Sequence, residues 1–315
     1  MKEIGGYFGL ELSKNKPLHE HAIKLNTGRN ALEYIIRAKS YAKIYLPYYT
    51  CDVLLQPLQK LKVDFEFYTI DINFEPEFDF QRVKTNEAFL YTNYFGLKDT
   101  YISRLPGTTT NVIIDNAQAF YAPPPDRMDT FYSARKFFGV ADGAYLYTDQ
   151  LLTDTLELDV SHARFEHLLR RADIDAQDGY ASFVQNEHDL DNAPLRQMSP
   201  LTSSILQSVD YAAVAAQRRK NFDYLQQNLE DKNLIPVDLE EQNVPMVYPF
   251  LTRDPNLRQK LIDHKIYIPT YWPNVLSWTS SNSIAYQYAA GILPLPIDQR
   301  YEPEDLRRII EVISP

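Results

Sequence analysis

The strongest constraint on this chain is an alternation, through its first half, of short apolar runs with amphipathic segments. Ala22 to Leu25 is a short apolar run. Thr27-Gly28 then opens NALEYIIRAKSY, whose apolar residues recur at helical spacing. Lys43 to Leu46 forms the next apolar run, stopped by Pro47, and a second helical segment, CDVLLQPLQKL, follows with Pro57 inside it. Further strands are predicted at Phe65 to Thr69, Ala88 to Tyr91 and Asn111 to Asp115. Parallel strands need long crossovers, and helices usually supply them. This rhythm therefore predicts an α/β fold, with a mainly parallel sheet sandwiched by helices.

The rhythm changes after Phe131. TFYS and AYLYT are aromatic-rich extended pieces around a polar turn with Arg135, Lys136, Gly139 and Asp142-Gly143, which predicts a strand–loop–strand hairpin. Ser161 to Asp191 is helical but polar, as expected of a surface decoration. Pro200 to Leu229 is predicted as one long helix, with Ser199 as N-cap and Pro200 at its first position. VPMVYPFL, PNLRQKLIDHK, IYIPT, ILPLPI and PEDLRRIIEVI then alternate strand and helix, the pattern of a smaller C-terminal α/β domain. The expected division is a large domain over residues 1–209 and a small one over 210–315.

Composition removes several function classes. The 32 Lys and Arg against 42 Asp and Glu give a net charge of −10, without a basic run, so a nucleic-acid partner is not expected. Cys51 is the only cysteine, which excludes a disulfide framework or a multi-thiolate zinc site within the chain and fits a cytoplasmic location. The N-terminal MKEIGGYFGLELSK lacks the apolar core of a signal peptide, and no apolar stretch reaches membrane-spanning length. GxGxxG, Walker, HExxH and GxSxG motifs are absent. Asp173/Asp175 and Asp189/Asp191 form Asp-x-Asp pairs, but in polar helical surroundings that favour a solvated face. His19 and His21 are expected as solvated loop residues rather than metal ligands.

The segment Val112 to Thr148 carries the chemistry. Asp115 ends an apolar strand, and in an open parallel sheet ligands bind outside the strand carboxyl ends. Ser133 and Lys136 follow on the hairpin. A carboxylate, a lysine and small phosphate-holding groups are what pyridoxal 5′-phosphate requires. The lysine binds the cofactor covalently, the carboxylate keeps the pyridine nitrogen protonated, and backbone N–H groups hold the phosphate.

The order of these segments resembles the DegT/StrS-type sugar aminotransferases, a branch of the pyridoxal-phosphate enzymes of fold type I (the aspartate aminotransferase fold). Asp115, Ala117, Gln118 and Ala119, then Ser133, Lys136 and Asp142-Gly143, match that family's cofactor segment. Thr27-Gly28-Arg29-Asn30 resembles its helix opening, LPYYTC its "VPSFTF" segment, and LRQMS its "NYRMS". The resemblance implies a seven-stranded-type sheet and a homodimer. It further implies amino transfer from an amino acid, with glutamate the expected donor, to a nucleotide-linked keto sugar. By position, Lys136 is the covalent and proton-shuttling residue and Asp115 the partner of the pyridinium nitrogen. Gln118 lies against the ring or its phenolic oxygen. Ser133 and the N–H groups of Thr27, Gly28 and Arg29 hold the phosphate, with the Arg29 guanidinium as an added contact. Cys51 stands where the family carries a ring-stacking aromatic, so Tyr49 or Tyr94 is the candidate stacker. Pro194 occupies the place of an asparagine that reaches a neighbouring subunit.

Blander readings stand beside these. Lys136 with Arg135 can be a surface basic pair, Asp115 and Arg29 can cap helices, Gln118 can be an ordinary polar position, and Ser133 can be strand surface. Arg196 can be structural or bind a substrate carboxylate. The competing functions are another reaction of the same cofactor, a non-catalytic protein retaining the fold, and a glycosyltransferase using an Asp-x-Asp pair.

Overall fold

The computed structural model describes residues 4–107 and 111–314. Ten strands are assigned among them: β1 (Ile23–Leu25), β2 (Lys43–Pro47), β3 (Asp64–Ile70), β4 (Pro76–Glu77), β5 (Glu87–Thr92), β6 (Val112–Asn116), β7 (Asp129–Ser133), β8 (Ala144–Tyr147), β9 (Val247–Leu251) and β10 (Ile292–Pro296). The main sheet has eight strands where seven were expected, in the order β1-β8-β7-β6-β5-β2-β3-β4. Its centre, β7-β6-β5-β2-β3, is wholly parallel; β8 and the two-residue β4 run against it, and β1, antiparallel to β8, runs in the direction of the central strands. The predicted α/β architecture is therefore observed, and the predicted hairpin is the antiparallel pair β7–β8.

Local chemistry explains the first crossover. The Thr27 side chain accepts a hydrogen bond from the Asn30 amide and caps the helix Gly28–Lys39, a cap that stabilises by about 1 kcal/mol. Ala31, Leu32, Ile35 and Ile36 bury one face of that helix in a core with Ile44, Leu46, Leu90, Ile113 and Leu146 of the sheet. The opposite face of the sheet packs against a larger, aromatic-rich core that extends into the C-terminal elements.

Three expectations are corrected. The segment Pro200 to Leu229 is two helices, Pro200–Gln207 and Tyr211–Leu229. Asp210 has extended backbone, and its side chain accepts from the Ala213 amide, so it caps a new helix. The carbonyls of Gln207, Ser208 and Val209 at the break accept from the backbone and side-chain amides of Asn15. IYIPT joins no sheet. Arg258 donates to the carbonyls of Ile268 and Pro269, and β9 pairs with β10 instead.

His19 is the third correction, since it is buried rather than solvated. Its Nε2 lies 2.8 Å from the Phe120 carbonyl and its Nδ1 3.2 Å from the Tyr147 hydroxyl. The carbonyl can only accept, so Nε2 donates, and the Tyr147 hydroxyl can donate to Nδ1 of the neutral ring. Burial lowers its pKa to about 4 from an ordinary 6.5. Between those values the unfolded chain binds the extra proton, so stability rises with pH through this window and is complete above it. The expected acid-side loss is on the order of 3 kcal/mol. Urea midpoints at pH 7.5 and pH 5 should therefore separate clearly for the wild type and much less for His19→Gln. Equal pH dependence in the two proteins would refute this assignment.

Candidate active site

The candidate residues gather at the carboxyl end of the parallel strands. Asp115 ends the apolar part of β6, is 7% exposed, and accepts the Ala117 amide at 2.8 Å. Burial pushes its carboxyl above the ordinary range, and both the nearby Lys136 ammonium and the Ala117 amide partly offset that rise. Lys136 follows β7 on a single 3-10 turn, Ala134–Lys136. It is exposed, and among the described residues it makes no hydrogen bond or ion pair. The amine is thus available, beside a carboxylate that burial makes costly to ionise without a cationic partner.

Gln118 is fully buried. Its Oε1 accepts the Phe95 amide at 2.8 Å, while its Nε2 is a buried donor without a partner among the described residues. Gly96 permits this packing. It has φ of +77°, and a Cβ there would lie 2.9 Å from the Gln118 carbonyl oxygen. The orphaned amide is the kind of group that a bound acceptor satisfies.

The helix opening at Thr27 adjoins the hairpin. Gly143 donates to the Asn26 carbonyl at 2.6 Å, and Gly28 faces the Phe131 ring. As first-turn residues, Gly28 and Arg29 have no intrahelical acceptor for their amides, which makes this terminus an anion cradle. Ser133 sits at the end of β7, partly buried, opposite Ala144 of β8. The Asp142 carboxylate at the turn accepts from the amide and hydroxyl of Ser199, both at 2.8 Å, and from the Thr202 hydroxyl. It is fully buried and anchors the start of the helix Pro200–Gln207.

Not every candidate side chain points the same way. The Arg29 guanidinium binds Asp191 at 2.6 Å and Gln56 at 2.8 Å, so that group is already engaged by a carboxylate. Tyr49 is fully buried, stacked on Tyr94 at 5.5 Å and edge-on to Trp272 at 4.6 Å. Tyr94 in turn donates its hydroxyl to the Tyr49 carbonyl. Both rings belong to the aromatic core. Arg196 faces Glu157 and Asp159 at 3.4 and 3.7 Å, a structural pairing. No metal-holding group of His, Cys, Asp and Glu occurs among the described residues. Cys51 is partly buried, within electrostatic reach of Lys136 and Arg29. Burial raises its thiol pKa and the Lys136 charge partly offsets this.

Sequence reasoning missed Arg218, which reads as a polar helix position yet is 1% exposed. A signal existed: Arg218 shares the face of Phe222, Leu225 and Leu229, all fully buried, at helical spacing.

These residues fit pyridoxal phosphate on the structure's own terms. A free amine, a buried carboxylate, an orphaned amide donor and unsatisfied helix-terminal N–H groups converge at one sheet edge.

No protein-family model matches the chain, and no curated relative matches it in sequence. Solved structures do match. Spr1654 of Streptococcus pneumoniae, assigned as a sugar aminotransferase and solved in its PLP form, superposes with a TM-score of 0.66 at 13% identity, covering 97% of this chain and 92% of its own. A DegT DnrJ EryC1 StrS aminotransferase from Brucella abortus gives 0.64 at 15% identity, over 93% and 85%. The GDP-4-keto-6-deoxy-D-mannose-3-dehydratase of E. coli, with bound hydrated PLP, gives 0.62 at 17% identity, over 93% and 87%. The expected fold is thereby confirmed: over nearly its whole length, this chain has the fold of the DegT/StrS-type sugar aminotransferases and their dehydratase relatives, fold type I of the pyridoxal-phosphate enzymes.

Proposed function

We propose that the protein is a pyridoxal-phosphate-dependent aminotransferase that moves an amino group from an amino acid, glutamate by preference, to a nucleotide-linked keto sugar. The observation that carries the reading is the free amine of Lys136 beside the buried Asp115 carboxylate at the carboxyl edge of the sheet. When bound, the cofactor supplies an electron sink for the bond-breaking step. Lys136 holds the cofactor covalently and moves the proton. Asp115 accepts the ring N–H, a charge pair that offsets the cost of its burial. The orphaned Nε2 of Gln118 donates to a ring oxygen, and the amides of Gly28 and Arg29, with Ser133, receive the phosphate.

The substrate class rests on a second observation. Lys136 lines a cavity of about 470 Å³ with Arg135, Arg171, Arg218 and Arg300; Arg135 is paired with Glu187, Arg300 with Asp298 and Arg218 with backbone carbonyls, which leaves Lys136 and Arg171 as its unpaired cations among the described residues. Such a basic concavity in a chain of net charge −10 suits a phosphate-bearing substrate. The exposed Tyr180 and Phe183 rings on the same wall stack at 6.2 Å and offer an apolar surface to a base or sugar.

The working form is a homodimer divided into domains at 1–209 and 210–315. Exposed Ile4, Tyr7, Phe8 and Leu10 near the N-terminus supply apolar surface for a second copy.

The test is an absorbance spectrum of protein loaded with the cofactor, with light scattering on the same sample. A visible band, shifted by glutamate and removed by hydroxylamine, from a particle of two chains is the expected result. Absence of any band at saturating cofactor overturns the reading, and a single-chain mass with full turnover overturns the dimer.

A further inference from the structure

Among the described residues Lys136 has no side-chain partner, so its placement depends on the backbone that carries it. That backbone is held within the turn by the Phe137 and Phe138 amides on the Ala134 carbonyl, and side chains from elsewhere in the chain reach its carbonyls at Ala141, through Asn186, and at Phe137. Gln299 Nε2 donates to the Phe137 carbonyl at 2.9 Å and an Arg218 terminal nitrogen at 3.5 Å. The two clamping side chains are themselves joined, with Arg218 Nε donating to Gln299 Oε1 at 3.1 Å. The Arg218 guanidinium also lies over the Phe137 ring, 4.5 Å from its centroid.

The same guanidinium reaches the other side of the site. It donates to the carbonyls of Met246 at 3.0 Å and Pro245 at 3.3 Å. The Met246 amide donates to the Phe95 carbonyl at 2.9 Å, and the Phe95 amide donates to Gln118 Oε1 at 2.8 Å. One buried arginine thus links the loop bearing Lys136 to the residue presenting the orphaned Gln118 amide. Arg218, Phe95, Gln118 and Phe137 are all 3% exposed or less.

Arg218 makes no ion pair among the described residues. The nearby Asp298 is taken by Arg300 in a two-pronged contact at 2.6 and 2.8 Å. A buried charge without a carboxylate partner is expensive as mere filling. What it supplies here is the planar fork, which serves several carbonyls at once and which lysine cannot reproduce.

We infer that Arg218, with Gln299, is a positioning residue that fixes the Lys136 loop relative to Gln118. The inference rests on the pyridoxal-phosphate reading for its consequence, but the clamp itself exists without cofactor. The variants are Arg218→Gln and Gln299→Leu. The first readout is hydrogen exchange on cofactor-free protein at Phe137 and Phe138, whose amides both donate to the Ala134 carbonyl. Exchange there should rise roughly tenfold or more while β5 and β6 stay protected. In loaded protein the visible band should weaken and its pH profile shift, with kcat falling more than KM rises. Wild-type exchange at these amides together with a wild-type spectrum in a folded Arg218→Gln protein would overturn the proposal. Should Arg218→Gln loosen the whole chain, Gln299→Leu decides. It removes one donor to Phe137 and should give the same local loosening in smaller degree, and an unaltered loop in that variant also overturns the clamp. Failure of the cofactor reading shows separately, as wild-type protein that never gains a visible band.

Discussion

Lys136→Ala is expected to give a fully folded protein whose turnover is lower by roughly a thousandfold or more, the scale on which a proton-transferring residue contributes. Two observations separate the fold from the function. Lys136 is exposed and makes no hydrogen bond or ion pair among the described residues, so its removal should alter stability by no more than about 0.5 kcal/mol. The phosphate-holding groups, the Gly28 and Arg29 amides and Ser133, lie on other parts of the chain and survive the substitution. The variant should therefore still bind the cofactor, more weakly, without the visible band of the lysine-linked form. Lys39 is tied to Asp149, and Lys98 lies by Glu75 at 3.7 Å, so neither is free to take over. Turnover within tenfold of the wild type would remove Lys136 from the chemistry.

Asp115→Asn should cost nearly as much activity, on the order of a hundredfold to a thousandfold, as removal of a preorganised charge partner does. Its stability effect should run the opposite way. Burial raises the Asp115 carboxyl pKa above its unfolded value. For such a group the folded state binds the extra proton, so stability is lost as pH rises through the window above 3.8. Asparagine keeps the acceptor for the Ala117 amide and carries no charge to desolvate. The cofactor-free variant should thus melt at or above the wild-type temperature near neutral pH. Near-normal turnover would reduce Asp115 to a cap for Ala117. A clearly lower melting temperature without cofactor would show that the charge is compensated in the empty fold.

The parallel sheet was legible in the sequence because its signals are local. Apolar runs bounded by Pro47, and the Thr27 cap three residues before Asn30, act within one turn of chain. The β7–β8 hairpin was legible for the same reason. What failed was long-range. Nothing near His19 indicates that Phe120 and Tyr147 close over it. Nothing near Arg29 indicates that Asp191, 162 positions away, takes its guanidinium. The break after Gln207 has no proline or glycine to announce it. Only Asp210, a good capping residue, hinted at a second start. IYIPT has the composition of a strand, but its carbonyls go to Arg258, a contact that composition does not encode.

The site was legible to the same degree. Asp115, Gln118, Ser133 and Lys136 could be read as candidates because they lie within 22 residues of one another in sequence. The aromatic partner was not. Tyr49 and Tyr94 pack on each other and on Trp272, whereas Cys51 is within electrostatic reach of Lys136 and Arg29. The Arg218 clamp was invisible because it joins four separate segments through backbone carbonyls, which any residue type provides.

Whether Lys136 holds the cofactor is read most directly by borohydride reduction of the cofactor-loaded wild type, followed by peptide mapping. Reduction freezes the link between cofactor and amine at the residue that holds it. A single pyridoxyl label is expected, on the peptide containing Lys136, and none in Lys136→Ala. A label on any other lysine, or no label from protein saturated with the cofactor, would contradict that assignment.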